Sequence, residues 1–270
     1  MTRGRGLLYL LLGIYAALTL GPFLWSLSAS FKTVEAVSAW PPTLIPRPFT
    51  LENYTYLLEK LPFLRWMFNS LVIAGIVTVA NVFLNAMAGY ALARLRFPGR
   101  KVLFWIIIGT MMIPGQVVII PVFILLSKLG WIDSYAALTI PFLTSAFGVF
   151  MYRQFFLGVP KSLEEAAMLD GMGPFQTFFR IILPLAKPVM AAQAIFMFLG
   201  SWNGFMWPAM LLSTPAMYTL PVGLSSFQGQ YYTLWNLVMA GTMFVTAPVV
   251  VVFIIFQRYF IQGVSTTGIK

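Results

Sequence analysis

The chain contains no cysteine and no histidine, and only 7 of its 270 residues are acidic. Without cysteine there is no disulfide framework and no thiolate nucleophile. Without histidine the usual zinc ligand and the usual general base are both missing. No G-x-x-x-x-G-K-[ST] loop occurs, and Gly171-Met172-Gly173 does not open a G-x-G-x-x-G, because Gln176 occupies the third glycine position. No catalytic residue and no metal ligand is therefore assigned, and the chain is not read as an enzyme. Charged residues amount to 9% against 60% hydrophobic, a balance outside the range of soluble domains. The net charge of +10 does not point to nucleic acid. Its bases form no stripe interleaved with aromatics and sit between apolar runs, which makes the lipid bilayer the expected surrounding.

Apolar runs of bilayer length lie at about 7–29, 68–92, 102–126, 135–157, 188–212 and 233–257. This predicts an all-α, polytopic membrane protein with six transmembrane helices, one domain spanning 1–270. The first run, behind Arg3 and Arg5, superficially resembles a signal peptide, with Ser28-Ala29-Ser30 as a cleavage-like site. At about 20 residues it is longer than a signal h-region and is read as a retained helix. Six spans place both termini on one side, and the basic residues choose that side. Arg3, Arg5, Arg94, Arg96, Arg100, Lys101, Arg153, Lys161, Arg180, Lys187, Arg258 and Lys270 share it, against Lys32, Arg47, Lys60, Arg65 and Lys128 opposite. Short basic loops stay in the cytoplasm, so a multi-pass protein of the cytoplasmic (inner) membrane with both termini inside is expected. On the outer side, Leu51–Trp66 has helical character after a Pro-rich stretch.

No span carries an Asp, Glu, Lys or Arg in its interior, whereas ion-coupled carriers generally need an ionisable group there. The polar groups inside are neutral: Asn81, Asn85, Gln116, Gln193, Asn203 and Asn236. Two readings stand side by side. One is interhelical hydrogen bonding. The other is a path for a neutral hydroxyl-rich solute, with Asn81, Asn85, Gln116, Gln193, Trp202 and Asn203 as its candidate lining. Prolines at 22, 114, 121, 141, 208 and 248 predict kinks.

The scarce acids are concentrated in one loop, about 158–187, where Glu164, Glu165 and Asp170 fall within seven positions. Lys161–Asp170 reads as a short amphipathic helix with Ser162 as N-cap and Glu165 at the capping-box position. Asp170-Gly171 ends it, and a second helical stretch, Pro174–Ile182, follows. Such a bracket on a membrane protein offers itself to a soluble partner. A stand-alone facilitator for a neutral polar solute is the rival from another class, and a membrane-embedded enzyme lacks the buried acids or nucleophiles it would need.

The spacing Glu165-Ala166-Ala167, three residues, Gly171, nine residues, Ile181-x-Leu183-Pro184 resembles the EAA loop of ABC importer permeases at each signature position. End to end the chain resembles the MalG-like, carbohydrate-type branch. Supporting matches are Ser30-Phe-Lys-Thr, Asn53-Tyr, Asn69-Ser70, Tyr90-Ala-Leu-Ala-Arg-Leu-Arg-Phe-Pro-Gly-Arg100, Arg153-Gln-Phe-Phe and Thr219-Leu-Pro-Val-Gly223. The resemblance implies the type I ABC importer permease fold. It implies a second homologous permease subunit, two ATP-binding cassette subunits that hold the ATP and Mg, and an extracytoplasmic solute-binding protein. The chain itself would carry no cofactor. The resemblance places ATPase docking on Glu164, Glu165, Ala166, Ala167, Asp170, Gly171, Ile181, Leu183 and Pro184. It places binding-protein contact in Ser213–Tyr232, with Tyr218, Leu220, Pro221, Gln228 and Tyr231 as candidates. The C-terminal Gly263–Lys270 resembles a tail that touches the ATPase pair in some relatives. One departure is Trp202-Asn203-Gly204-Phe205, where many relatives have Glu at the third position.

Overall fold

The computed structural model describes residues 2–229 and 232–266, with side chains for 6–229 and 232–255. In chain order the helices are α1 (Thr2–Ser30), α2 (Val34–Ser38), α3 (Glu52–Lys60), α4 (Phe63–Arg94) and α5 (Arg100–Thr110). Next come α6 (Gly115–Lys128), α7 (Tyr135–Thr139), α8 (Ala146–Gly158), α9 (Ser162–Leu169) and α10 (Pro174–Thr177). The last are α11 (Leu183–Leu185), α12 (Lys187–Trp202), α13 (Met206–Leu211), α14 (Leu220–Ser225) and α15 (Trp235–Thr266). No strand occurs among the described residues, only an isolated antiparallel bridge between Gln228 and Thr233. The chain is all-helical, as its composition predicts.

Among the described residues, four segments are long and apolar enough to cross a membrane unaided: Gly6–Ser30, Phe63–Arg94, Tyr135–Gly158 and Trp235–Ile255. The expected third and fifth spans are not straight helices. The third divides into α5 and α6, bent by 99°. Pro114 is the N-cap of α6 with extended ψ of 133°. Its ring forbids the helical conformation for Ile113 and donates no hydrogen bond. In place of the fifth, α12 stops at Trp202, and Asn203-Gly204-Phe205 separates it from α13. At its other end α12 meets the segment Pro174–Leu185 at 77°. The expected helix Pro174–Ile182 is present, α-helical to Thr177 and then widened into a π turn, Phe178–Ile182. Pro184 removes one donor and pushes on the preceding turn, which a wider turn accommodates. By contrast Pro22 and Pro248 lie within continuous helices, which membrane helices tolerate.

The chain forms two compact units. The first holds the residues up to Met67 together with Thr219–Val249. Its α1 is largely apolar from Gly6 onward, and the hydrophobic window of that stretch has no buried share. Such a surface requires lipid or another protein around it. The unit is tied by a polar knot. Asn53 Nδ2 donates to the carbonyls of Ser30 and Lys32, both at 2.8 Å, where the chain leaves α1. The Asn53 side-chain oxygen accepts from Asn236 Nδ2 at 2.6 Å, and the Ser30 and Tyr54 hydroxyls are 2.8 Å apart. Two of the dispersed signature fragments, Ser30-Phe-Lys-Thr and Asn53-Tyr, thus meet in one hydrogen-bond network. A third, Thr219–Gly223, holds a glycine because a Cβ on Gly223 would come within 2.1 Å of the Trp66 ring.

The second unit holds Phe68–Tyr218 and the chain from Val250 onward. Ile73, Val77, Leu126, Leu138 and Leu211 form one apolar core in it, while Leu92, Phe104 and Val149 join α4, α5 and α8 in another. Asn69 Nδ2 donates to the carbonyls of Ala216 (3.0 Å) and Tyr218 (2.9 Å), and its oxygen accepts from the Tyr135 hydroxyl at 2.5 Å. Asp133, in the left-handed region with φ 60°, accepts from the Ser213 and Thr214 amides at 3.0 and 3.2 Å.

Replacing Asn53 by Leu removes the amide that satisfies two backbone carbonyls and the Asn236 side chain. Each buried group left unpaired costs about 1–3 kcal/mol, so thermal unfolding of the detergent-purified protein should shift down by several degrees. A matched Glu59→Gln control on the exposed side of α3 should leave it in place.

Candidate functional site

The acidic loop folds as the bracket that its sequence suggests, but with its residues differently employed. Helix α9 begins at Ser162 with Lys161 as N-cap, and no side chain caps it. The expected capping box is absent: the first turn is closed by the backbone of Pro160 and Lys161. Its C-terminus is a Schellman motif. The Met172 amide donates to the Ala167 carbonyl at 2.9 Å and the Gly171 amide to the Met168 carbonyl at 3.0 Å. Gly171 sits at φ +79°, with nothing near where a Cβ would stand. Glycine is needed here for its backbone and not for space.

Glu164 and Glu165 are consecutive, so a helix turns them about 100° apart. Glu165 is exposed and Glu164 is buried. The carboxylate of Glu164 lies 3.3 Å from Arg94 Nε at the end of α4, with the two side chains only 11% and 6% exposed. Arg94 also donates through Nη2 to the Val159 carbonyl. Behind this pair, Tyr90, Tyr152, Phe156, Phe178, Ile182, Leu183 and Ala186 form a buried cluster. Within it the Tyr90 ring lies 5.0 Å from Phe178 and 5.9 Å from Phe156. The bracket is therefore rooted in α4 and α8 by an ion pair and by packed aromatics. Ala167 is buried with Leu183, Ile181 is half-buried, and Ala166, Asp170, Gly171 and Pro184 are exposed.

The outer face of the bracket carries apolar side chains that the sequence reading left out. Leu169 is 90% exposed, and Met168 and Phe175 are also exposed. Phe175 and Phe179 pair at 4.7 Å between ring centroids. An apolar patch on a polar loop is a surface for another protein. Its only signal in sequence is apolar residues set beside Asp170-Gly171, at the place where an amphipathic helix should already have turned polar.

The candidate solute-path residues separate into two groups. Asn81, Asn85 and Gln193 come together and are buried. Asn81 Nδ2 donates to the Val77 carbonyl (2.9 Å) and the Phe142 carbonyl (2.6 Å). Asn85 Nδ2 donates to Asn81 Oδ1 (3.0 Å) and Ser145 Oγ (3.2 Å), and its oxygen accepts from the Ser145 amide at 3.1 Å. These two asparagines close the break in front of α8. Gly148 lets Gln193 approach: a Cβ there would stand 2.1 Å from Gln193 Nε2 and 2.2 Å from Asn85 Nδ2. Trp202 is also buried, stacked at 5.8 Å on Phe198. Gln116 and Asn203 are exposed and lie outside the asparagine cluster. Among the candidates for binding-protein contact, Gln228 is exposed, Tyr218 and Pro221 are half-buried, and Leu220 is buried. Tyr231 and the end of the C-terminal tail lie outside the described residues. No group of three or more His, Cys, Asp or Glu able to hold a metal occurs among the described residues.

Four substitutions probe this geometry. Glu164→Gln leaves the Arg94 guanidinium buried without its counter-charge and should destabilise by about 3–5 kcal/mol. Glu165→Gln, on the exposed side of the same helix, should stay within about 0.5 kcal/mol. Denaturation of the purified protein measures both. Gly148→Ala should overpack the amide cluster at a cost of about 1–3 kcal/mol, and adding Gln193→Ala should recover part of that loss, the clash with Asn85 remaining, which a double-mutant cycle reads directly.

Comparison with known proteins gives this architecture a family. Residues 85–266 match the family described as binding-protein-dependent transport system inner membrane component. The chain is 40% identical over 226 residues to the arabinooligosaccharides transport system permease protein AraQ of Bacillus subtilis, covering 83% of this chain and 80% of that one. It is 35% identical over 262 residues to the sn-glycerol-3-phosphate transport system permease protein UgpE of Shigella flexneri, covering 94% and 92%. Among solved structures it superposes with a TM-score of 0.84 on a chain of a bacterial ABC transporter involved in the import of the acidic polysaccharide alginate. The two are 27% identical, over 96% of this chain and 99% of that chain. On these matches the chain belongs to the binding-protein-dependent transport system inner membrane components, the permease subunits of ABC importers, with the type I importer permease fold.

Proposed function

We propose that this chain is the permease subunit of an ATP-driven importer for a sugar or a sugar-like polyol. In this reading it crosses the cytoplasmic membrane six times, with the two bent helix pairs each counting as one crossing and both termini in the cytoplasm. The distribution of basic residues supports that orientation. The carbohydrate assignment is supported by the names of the relatives, which transport arabino-oligosaccharides and sn-glycerol-3-phosphate.

The observation that carries the proposal is the bracket from Ser162 to Leu185, exposed and apolar outside, buried and ion-paired inside. A cleft on an ATP-binding cassette subunit receives its outer face at Glu165, Ala166, Leu169 and Asp170. Closure of the ATPase pair on ATP moves the bracket as a body, because the Schellman turn at Gly171 fixes α9 against the following stretch. The Arg94–Glu164 pair passes the displacement to α4, the aromatic cluster passes it to α8, and the π turn passes it to α12. A second, homologous permease completes the translocation path, and an extracytoplasmic binding protein delivers the solute to the loop containing Gln228. ATP and Mg stay on the partner subunits, so the chain needs no cofactor of its own. In this reading Gln116 and Asn203, the exposed members of the neutral polar set, meet the solute first, and Asn81, Asn85, Gln193 and Trp202 line the path when the helices around them separate.

Leu169→Asp changes only an exposed side chain and should abolish copurification of the ATPase while membrane insertion and thermal stability stay normal. Gly171→Trp forces a bulky residue into the left-handed region and should uncouple ATP hydrolysis from uptake in proteoliposomes. Normal uptake by both variants, or solute uptake by the purified chain alone, would overturn the proposal in favour of a stand-alone facilitator.

A further inference from the structure

The link between α4 and α5 is five residues long, Leu95–Gly99, and both helices are apolar. A link that short between membrane-embedded helices holds its side chains at the level of the lipid headgroups. Here it frames a cleft of about 600 Å3 lined by Arg96, Phe97, Pro98, Arg100, Lys101 and Val102. Three cations face this space, and no carboxylate lines it. The neighbouring bases are already engaged. Arg94 is paired with Glu164, and the Arg153 guanidinium lies 3.8 Å above the Phe104 ring while its Nε donates to the Leu92 carbonyl. Arg96 and Lys101 remain exposed. Arg100 is held in place by a 2.8 Å bond from Nη1 to the Leu95 carbonyl, which orients a charge into the cleft at little entropic cost.

The apolar half of the same surface decides what kind of anion fits. Immediately beyond the cations, α5 presents Val102, Leu103, Trp105 and Ile106 outward, with Trp105 68% exposed. A phosphorylated solute or an acidic protein segment has a use for the cations and none for this greasy flank. An amphiphile uses both. We propose that the α4–α5 link is a binding site for an anionic phospholipid. The headgroup phosphate sits among Arg96, Arg100 and Lys101, and the acyl chains run along the Val102–Ile106 face of α5. Trp105 lies one turn into the apolar region, the depth at which indole rings favour the membrane interface. The site adjoins Arg94, so a bound lipid fixes the end of the helix on which the bracket is rooted.

The test uses the transporter assembly purified with its native partners and equilibrated with an equimolar mixture of phosphatidylglycerol and phosphatidylcholine of equal chain length. Lipid retained per complex is counted by mass spectrometry. Wild type should retain phosphatidylglycerol selectively, and each neutralised cation should weaken that retention about fivefold, the effect expected of one basic side chain near an anionic surface. R96Q/K101Q should therefore lose most of the selectivity, whereas R96K/K101R and the remote K128Q should keep it. A large excess of inorganic phosphate should not displace the lipid, since a bare anion gains nothing from α5. Because removing basic residues also disturbs insertion, a second measurement uses the wild-type chain. Phosphatidylglycerol with a photoreactive group in its acyl chain should crosslink within residues 102–106, and the phosphatidylcholine analogue should do so far less. Equal selectivity in R96Q/K101Q, displacement by phosphate, crosslinks lying elsewhere, or crosslinking of a protein at this face would each overturn the assignment.

Discussion

Lipid cannot hydrogen-bond a backbone carbonyl, so every place where a membrane helix stops or breaks must find its partner within the protein. In this chain the partner is repeatedly an asparagine amide. Asn53 holds the carbonyls of Ser30 and Lys32 at the exit from α1. Asn69 holds those of Ala216 and Tyr218 around a 3-10 turn, and Asn81 holds that of Phe142 ahead of α8. Between two helices in hydrocarbon there is little hydrophobic driving force, and these bonds supply the register that a water-driven core would supply elsewhere. Within the second unit, Asn81 and Asn85 brace α4 against the start of α8, and these are the helices on which the bracket is built.

The bracket adds the second requirement, that a surface made for a partner be connected to the interior. Glu164 and Glu165 divide this task between adjacent positions. One faces Arg94 in a buried pair, and the other stays on the outer face beside Leu169 and Asp170. A buried pair is poor evidence of added stability, but losing either member is costly, which makes the linkage stiff. The packed rings of Tyr90, Phe156 and Phe178 extend that stiffness into α4 and α8.

Several elements were readable in the sequence because their cause is local. The long apolar runs yielded α1, α4 and α15, and Gly171 announced a left-handed helix end that is present at φ +79°. Elements that depend on non-local partners were not readable. Ser162 looked like a cap, but the backbone of Pro160 and Lys161 does that work. The burial of Leu220 and the exposure of Leu169, the most exposed apolar residue of the bracket, both depend on packing that no neighbouring residue sets. The bend between α5 and α6 is legible only as Pro114 within a run, and the one between Leu185 and α12 falls in the loop outside any run. How far a proline bends a helix depends on what packs against it.

By itself, the sequence determined the solvent, the class and the family: 60% hydrophobic residues, runs of bilayer length, and a spaced Glu-Ala-Ala, Gly and Ile-x-Leu-Pro signature. Composition and short-range spacing decide these because hydrophobic burial and helix termination act over a few neighbouring residues. Tertiary structure alone decided which polar groups bind one another and which remain outward. It sent Glu164 to Arg94, some 70 positions away, gathered Asn81, Asn85 and Gln193 around Gly148, and left Arg96, Arg100 and Lys101 open beside the exposed face of α5. A side chain's partner is set by the packing of whole helices, and no local pattern in the chain encodes that geometry.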